Sequence, residues 1–279
     1  MTRVAVLGGG YLGRAFATQL LARDPETPCT HHRGEGGAQR LDYAAPDLGA
    51  VDLRGAGAAL LLGGVTRIGA CEDDPEGSRA VNVTGTLALV GELSARGVQP
   101  IVFSSDYVFA GDAAPYGHDA PRAPSTEYGQ QKAELERAVL GEFPGALLVR
   151  LGKVYGTERG DGTLLDGFAA AWARGESLSA ADDQRMTPIH VDDVVREVLA
   201  RVGSAGLVHV SGREPASRWE LAERLRVALG HPPGRLTRIQ LGALFPGRPL
   251  DTRLTSDVSP RWTLAAGIEA VAANYRAPA

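Results

Sequence analysis

The sequence contains few cysteines, no basic excess and no long hydrophobic run, and each shortage excludes a class of protein. Cys29 and Cys71 are too few for a disulfide framework and lack the spacing of a zinc site. Because 29 Lys and Arg residues are outnumbered by 33 Asp and Glu residues, no basic field is available to bind a nucleic acid. No apolar stretch approaches the roughly 18 residues of a membrane span. We therefore expect no nucleic acid, no membrane and no metal among its partners.

Lysine is almost absent, whereas glycine is abundant. Lysine occurs only at Lys132 and Lys153, so arginine carries nearly all of the positive charge, and a lysine is informative wherever it stands. The 36 glycines amount to about twice the average share of roughly 7%. The opening residues MTRVAVLGGG are typical of a strand and a tight turn rather than of an export signal, so we expect a cytoplasmic protein.

Strand-like and helix-like segments alternate along the first half of the sequence. The strand-like segments are continuously apolar, which is typical of a parallel sheet covered by helices on both faces. They cover residues 4–7, 58–62, 101–104 and 146–151, and the helix-like segments cover 11–23, 77–96 and 127–140. We predict an α/β fold with a Rossmann-like, doubly wound parallel sheet.

The pattern loosens beyond about residue 155. Helical spacing returns near 164–174, 192–201 and 219–229, and the proline- and glycine-rich segment 230–249 interrupts it. We predict a dinucleotide-binding Rossmann domain over 1–160, to which 186–202 returns, and a smaller C-terminal substrate-binding lobe over 161–279.

A glycine motif follows the first predicted strand and opens the first predicted helix. Glycines at this spacing, GxGxxG, let the backbone approach a pyrophosphate, while the helix N-terminus supplies free N–H groups and positive potential. A simple turn is the alternative, and the position directly after a strand favours dinucleotide binding. The predicted cofactor site consists of Gly8, Gly10, Tyr11, Leu12, Gly13 and Gly63.

The end of the second predicted strand, near residues 30–33, bears on the choice of cofactor. Folds specific for NAD usually place an acidic residue there, on the ribose 2′-hydroxyl. This sequence has His32 and Arg33 instead, and an arginine is suited to pair with a 2′-phosphate. We therefore favour NADP(H) over NAD(H), with a solvated loop as the alternative interpretation of Arg33.

A tyrosine and a lysine stand four residues apart on a predicted helix. Tyr128 and Lys132 lie on one helical face, and a neighbouring cation favours the phenolate over the phenol. With seven tyrosines and two lysines in the sequence, chance would give roughly 0.05 such pairs. Ser105 follows the strand over 101–104, at the edge of the sheet where open α/β folds bind ligands. This set predicts general acid/base chemistry at a carbonyl group.

Together with the glycine turn and the phrase Asn82-Val83-Thr84-Gly85-Thr86, the set resembles the extended short-chain dehydrogenase/reductase family. Further phrases are similar to its dTDP-4-dehydrorhamnose reductase branch, and the likeness runs over nearly the whole chain. These phrases are SSDYVFAG at 104–111, Asp182-Asp183-Gln184 with Thr187-Pro188, and Arg248-Pro249.

The resemblance implies a role for each member of the set. Tyr128 would protonate the substrate oxygen as hydride arrives, Lys132 would bind the nicotinamide ribose and lower the pKa of Tyr128, and Ser105 would donate a hydrogen bond to the carbonyl. Lys132 thus belongs to both the catalytic and the cofactor-binding residues. For a nucleotide-sugar substrate, the predicted binding residues are Ser105, Asp106, Arg185 and Arg248.

The residue after Asp106 separates the possible reactions. Dehydratases of the family carry an Asp-Glu pair, whereas Tyr107 follows Asp106 here, so dehydration is disfavoured. We predict NAD(P)H-dependent reduction of a keto group on a nucleotide-linked sugar. Two alternatives are a nucleotide-sugar 4-epimerase with bound NAD and a non-catalytic dinucleotide-binding regulatory module. The sugar, the nucleotide and the oligomeric state stay open, with a homodimer as one option.

Overall fold

The computed structural model describes residues 2–276, which form two compact units. The first contains the chain up to Val108 together with Arg122–Arg150 and Glu197–Val208. The second contains Phe109–Pro121, Leu151–Arg196 and the described chain from His209 onward.

The strands are β1 Val4–Leu7, β2 Cys29–His31, β3 Gln39–Arg40, β4 Ala58–Leu61, β5 Gln99–Ser105, β6 Leu147–Leu151, β7 Val154–Tyr155, β8 Leu178–Ala181, β9 Arg185–Met186, β10 Ile189–His190, β11 Gly206–Val210, β12 Ala216–Ser217 and β13 Leu236–Ile239.

The helices alternate with the strands in the first unit and continue through the second. They are α1 Tyr11–Leu21, α2 Ile68–Asp73, α3 Pro75–Arg79, α4 Thr86–Ala95, α5 Glu127–Glu142, α6 Leu164–Ala173, α7 Val191–Leu199, α8 Arg218–Ala228, α9 Leu241–Leu244 and α10 Leu264–Arg276. None of these helices, within residues 2–276, is long and apolar enough to cross a membrane.

A seven-stranded sheet in the order β11-β6-β5-β4-β1-β2-β3 forms the centre of the fold. The strand pairs from β3 across to β5 are parallel, and β1 lies between β2 and β4. The chain thus winds away from β1 in both directions, so the predicted Rossmann-like, doubly wound sheet is confirmed. A crevice at the carboxyl ends of β1 and β4 is the place where such sheets bind ligands.

The core of the first unit lies between this sheet and the helices α4 and α5. Leu61, Val102 and Leu148 of neighbouring strands pack with Leu89 of α4 and Leu135 of α5. Complete burial of β1, β4 and β6 explains why these strands read as continuous apolar runs rather than as alternating ones.

The helix predicted over 77–96 is present as a helical segment that runs without a break over residues 75–95, but its middle turn is π-helical. The structure has α3, a π-helical turn over Ala80–Gly85, and then α4. At Gly85 the backbone passes so close to the carbonyl oxygen of Tyr43 that a Cβ atom would collide with it. The wider turn accommodates this contact and buries the side chain of Asn82.

The second unit is built around helices α6, α8 and α10. Their core includes Trp172, Leu225 and Ile268, so Trp172 is a packing residue. The segment over 230–249, predicted as irregular, contains β13 and α9. β13 pairs in parallel with β8 over four residues.

The two units divide the chain differently from the predicted boundary at residue 160. Phe109–Pro121 belongs to the second unit, and so does the chain from Leu151 to Arg196. The segment that returns to the first unit is Glu197–Val208, which overlaps the predicted 186–202 only in part. Its return allows β11 to pair beside β6 at the edge of the sheet.

The contact at Gly85 gives a stability prediction. Gly85→Ala should lower the free energy of unfolding by about 2 kcal/mol or more, because the backbone of Tyr43 cannot move away without disturbing the sheet. Gly91→Ala on α4 is the matched control, since the nearest atoms to its Cβ belong to the Phe143 ring at 3.9 Å. It should raise stability by about 0.5–1 kcal/mol. Urea unfolding checks both, and equal effects of the two substitutions would contradict the prediction.

Candidate active site

The candidate site forms where the carboxyl end of β5 meets the first turn of α5. Thr126 caps α5 by accepting a hydrogen bond from the Gly129 amide at 3.2 Å. A Cβ atom at Gly129 would collide with the carbonyl oxygen of Tyr107, so the helix approaches the segment after β5 without a side chain between them. The structure therefore brings Tyr128, Lys132 and Ser105 into one region of the first unit.

Local hydrogen bonds hold the hydroxyl of Ser105. It donates to Oδ1 of Asp106 at 2.9 Å and accepts from the amide of Tyr107 at 3.2 Å. Asp106 is buried, and the ring of Tyr107 packs edge-on against that of Tyr128 with centroids 6.3 Å apart. The Ser105 hydroxyl is thus oriented by its own chain neighbours, beside the phenol.

Burial dominates the ionisation of Tyr128. It raises the pKa of the phenol well above its ordinary value, a hydrogen bond with Ser105 lowers it in part, and the carboxylate of Asp106 raises it further. Lys132 is not among the groups that shift the pKa of Tyr128 in the free protein, so its effect on Tyr128 during turnover stays a prediction. The phenol stays protonated across the physiological range, which suits a proton donor.

Lys132 is buried one helical turn beyond Tyr128. Its ammonium donates a hydrogen bond to the carbonyl oxygen of Phe103 on β5 at 3.0 Å and lies 5.9 Å from the centroid of the Tyr128 ring. Burial lowers the pKa of Lys132 to about 8, and the carboxylate of Glu136 opposes this shift. The ammonium form therefore predominates near neutral pH, but a small further fall in the pKa would leave much of Lys132 uncharged.

A buried amide network, which the sequence analysis missed, links three segments around the site. The Asn82 side-chain amide donates to the Val65 carbonyl at 2.9 Å and to Oε1 of Gln131 at 2.8 Å, and its oxygen accepts from the Val65 amide at 2.8 Å. Gln131 in turn donates to the hydroxyl of Ser78 and to the carboxylate of Glu127. The phrase around Asn82 signalled its importance, but Gln131 gave no signal beyond its place beside Lys132.

The glycine turn packs against the loop after β4. Gly8 has φ of +119°, and a Cβ atom there would meet the Gly63 amide at 2.7 Å. A Cβ atom at Gly13 would collide with the Gly8 carbonyl, whereas one at Gly10 would meet nothing within 4 Å. The open space at Gly10 lies at the start of α1, whose first turn contains Tyr11 and Leu12 and no acidic residue. These features fit the pyrophosphate of a dinucleotide.

Arg33 lies just past the end of β2 with a 71% exposed side chain. Its Nε donates to Nε2 of His32 at 3.1 Å, and its guanidinium is 3.8 Å from the carboxylate of Glu35. The ring of His31 packs over Gly9 of the glycine turn, where a Cβ atom would collide with it. Arg33 is thus accessible to an anion on the same side of the first unit as the turn.

Arg185 and Arg248 both lie in the second unit. Arg185 is in β9, where its backbone amide donates to the Leu250 carbonyl at 2.6 Å. The guanidinium of Arg248 lies 5.9 Å from the centroid of the Phe245 ring. His190 stacks on Trp262 with centroids 4.1 Å apart. Among residues 2–276 no group of three or more His, Cys, Asp or Glu side chains is arranged to hold a metal ion.

Comparison with known proteins finds a matching family and relatives named as reductases. A sequence profile of the RmlD substrate binding domain matches residues 3–245. The chain is 32% identical over 212 residues to a dTDP-4-dehydrorhamnose reductase of Mycobacterium tuberculosis, which spans 72% of this chain and 68% of that protein. It is 33% identical over 172 residues to a probable low-salt glycan biosynthesis reductase of Haloferax volcanii, which spans 59% of this chain and 57% of that protein.

Solved structures with a similar fold also exist. The dTDP-4-dehydrorhamnose reductase of Bacillus anthracis in complex with NADP superposes with a TM-score of 0.83 at 18% identity, covering 96% of this chain and 98% of that one. The fold and these similarities define an oxidoreductase of the extended short-chain dehydrogenase/reductase type. Because the profile spans most of the sequence, the chain belongs to the RmlD substrate binding domain family.

The burial of Lys132 gives a prediction about stability and pH. The pKa of this lysine is about 8 in the folded protein, below its ordinary value of 10.5, so the unfolded chain binds the proton more tightly. The charge is destabilising below pH 8, and the effect fades as the pH rises from about 8 to 10.5. Lys132→Met should therefore raise the free energy of unfolding at pH 7 by up to about 3 kcal/mol, and by less at pH 10.

Denaturant unfolding at the two pH values measures this effect. Lys153→Met is the matched control, because Lys153 is exposed and is the other lysine of the chain. Its change should stay within about 0.5 kcal/mol at both pH values. A loss of stability on Lys132→Met at pH 7 would show that the buried ammonium does not destabilise the folded protein.

Proposed function

We propose that the protein uses a nicotinamide dinucleotide, with NADP(H) preferred, to reduce a keto group on a nucleotide-linked sugar. The observation that carries this proposal is the buried, protonated phenol of Tyr128 beside the hydroxyl of Ser105. Carbonyl reduction builds negative charge on one oxygen, which needs a hydrogen-bond donor and a source of protons. The two hydroxyls supply both functions at one place.

Each side chain has a role that follows from its environment. Ser105 lies between Asp106 and the Tyr107 amide, and its hydroxyl would turn from the carboxylate of Asp106 to donate its one proton to a substrate oxygen. Tyr128 gives its proton to that oxygen, and the ammonium of Lys132 favours the phenolate that remains. A bound nicotinamide dinucleotide would supply the hydride. Lys132, held by the Phe103 carbonyl, would also bind the ribose of that cofactor.

The similarity to enzymes named for dTDP-4-dehydrorhamnose supports a nucleotide-linked 4-keto sugar as substrate. Arg185 and Arg248 are proposed to bind its diphosphate, since arginine pairs with phosphate oxygens through two parallel hydrogen bonds. Asp106 is proposed to act at the sugar end, where it already fixes Ser105. Tyr107 stands where dehydratases carry a second acid, which favours reduction over elimination of water.

A 4-epimerase with tightly held NAD remains the second candidate. It shares the Ser105, Tyr128 and Lys132 arrangement, and retention of NAD through purification would favour it. A regulatory module that binds the dinucleotide without turnover is disfavoured, because binding alone gains little from a rare lysine placed one helical turn after a tyrosine and beside the hydroxyl of Ser105. Cytoplasmic location and the lack of nucleic-acid partners belong to the same proposal and rest on the composition, whereas the oligomeric state stays open, with a homodimer as one option.

The catalytic prediction concerns Tyr128→Phe. Removal of the proton donor should lower kcat/KM for reduction of a dTDP-4-keto-6-deoxy sugar by about 10² to 10⁴. The loss of NADPH absorbance measures turnover. NADPH binding should be unchanged, because the phenylalanine ring fills the same space, and this serves as the internal control. Wild-type activity in the variant would exclude Tyr128 as the donor.

The cofactor prediction concerns Arg33→Ala. Loss of this guanidinium should weaken NADPH binding by about tenfold, or about 1.4 kcal/mol, and leave NADH binding unchanged, because NADH lacks the 2′-phosphate. Arg23→Ala, an exposed arginine beyond the end of α1, is the matched control and should affect neither. Fluorescence titration of the two cofactors gives the constants. A wild-type preference for NADH would contradict the assignment.

A further inference from the structure

A buried cluster of charges lies directly behind the candidate catalytic lysine. Glu136 follows Lys132 by one helical turn on α5, and its side chain has no solvent exposure. Arg150 of β6, with 1% exposure, donates to both carboxylate oxygens, through Nε at 2.9 Å and Nη2 at 2.6 Å. Arg122, with 30% exposure, adds a third hydrogen bond to Oε2 at 2.7 Å. All four residues belong to the first unit.

This cluster is more elaborate than the anchoring of a helix requires. A bidentate arginine already satisfies the geometry of a carboxylate, and a buried ion pair is on average no more stabilising than apolar packing of the same shape. The placement of the carboxylate is informative instead. Residues i and i+4 share a helical face, so Glu136 is the buried acid on the same face as Lys132.

The surroundings of Lys132 leave Glu136 as its main source of negative charge. The Tyr128 ring of α5 and the neutral carbonyl of Phe103 on β5 are the groups nearest the ammonium. Glu136 of α5 and Cys71 of α2 influence it electrostatically without a direct ion pair. Burial raises the pKa of both Tyr128 and Cys71, so both stay neutral at physiological pH. Arg150 and Arg122 hold the pKa of Glu136 below its usual range despite its burial, so this group is charged.

We propose that Glu136 is a positioning residue for Lys132, acting as the buried counter-charge that keeps the ammonium protonated at the Phe103 carbonyl. Arg122 is the partly exposed member of the cluster and attenuates that counter-charge. The two residues therefore act on Lys132 in opposite directions. The role of Lys132 in turnover rests on the proposed function, whereas the electrostatic link itself does not.

The scarcity of lysine makes the link directly measurable. Protein labelled with ε-¹³C lysine should give signals from Lys132 and Lys153 alone, and Lys153→Arg assigns them. In the full-length protein without ligand, Glu136→Gln should lower the midpoint of the Lys132 titration by about 1 pH unit or more. Arg122→Gln should raise it by up to about 1 pH unit, because it removes a positive charge from the cluster and leaves the Arg150 pair intact.

A partly exposed ion pair between α3 and α5 provides the matched control. Arg79 of α3 pairs with Glu134 of α5 through two hydrogen bonds, so Arg79→Gln removes an arginine from a neighbouring carboxylate that is solvated. It should leave the Lys132 midpoint unchanged. The pH limb of kcat/KM should move with the midpoint in the Glu136 and Arg122 variants.

Opposite shifts in the two variants support the proposal, whereas shifts in one direction or no shift overturn it. Should Glu136→Gln fail to fold, the direction of the shift in Arg122→Gln decides alone, and an unchanged or lower midpoint overturns the proposal. A purely structural role for Glu136 would not raise the midpoint in the Arg122 variant. Opposite shifts without turnover on any keto sugar would leave the link standing and contradict the proposed function instead.

Discussion

The ion pair between Glu136 and Arg150 is the interaction on which the candidate site depends. It joins α5 to β6 through two hydrogen bonds between fully buried groups. Removal of one partner from such a pair costs about 3–5 kcal/mol, since the other charge is left buried and unpaired. The pair therefore fixes the position of α5 on the sheet. Tyr128 and Lys132 are thereby held in place relative to the end of β5.

Close backbone approaches fix the opposite side of the first unit. The Tyr43 hydroxyl donates to the Leu7 carbonyl at 2.8 Å, its ring covers Gly63, and its carbonyl oxygen touches Gly85. One tyrosine thus joins the end of β1, the loop after β4 and the π-helical turn. From that turn, Asn82 reaches Gln131 on α5, so the proposed cofactor turn and the catalytic helix are linked through buried contacts.

The sequence predicted those features that depend on local pattern, and missed those that depend on long-range contact. Continuous apolar runs predicted the central strands, because burial on both faces demands them. The π-helical turn within the helix over 77–96 was not predicted, because the contact between Gly85 and Tyr43 joins residues far apart in sequence. Asn82 and Gln131 are 49 residues apart, and strands of two residues such as β9 carry no period to detect. The raised pKa of Tyr128 follows from burial, which spacing alone does not reveal.

Tyr128 and Lys132 make opposite demands on one environment. Burial favours the neutral form of every titratable group, which suits a phenol that must hold its proton until a substrate oxygen needs it. The same burial favours the uncharged amine of a lysine. With a pKa of about 8, Lys132 is only moderately in favour of the ammonium form at neutral pH. A solvated ammonium would keep its charge without a counter-charge, but it would admit water beside the phenol and return the pKa of Tyr128 towards its ordinary value. A buried carboxylate one turn further along the helix satisfies both demands, and its own charge is in turn secured by Arg150.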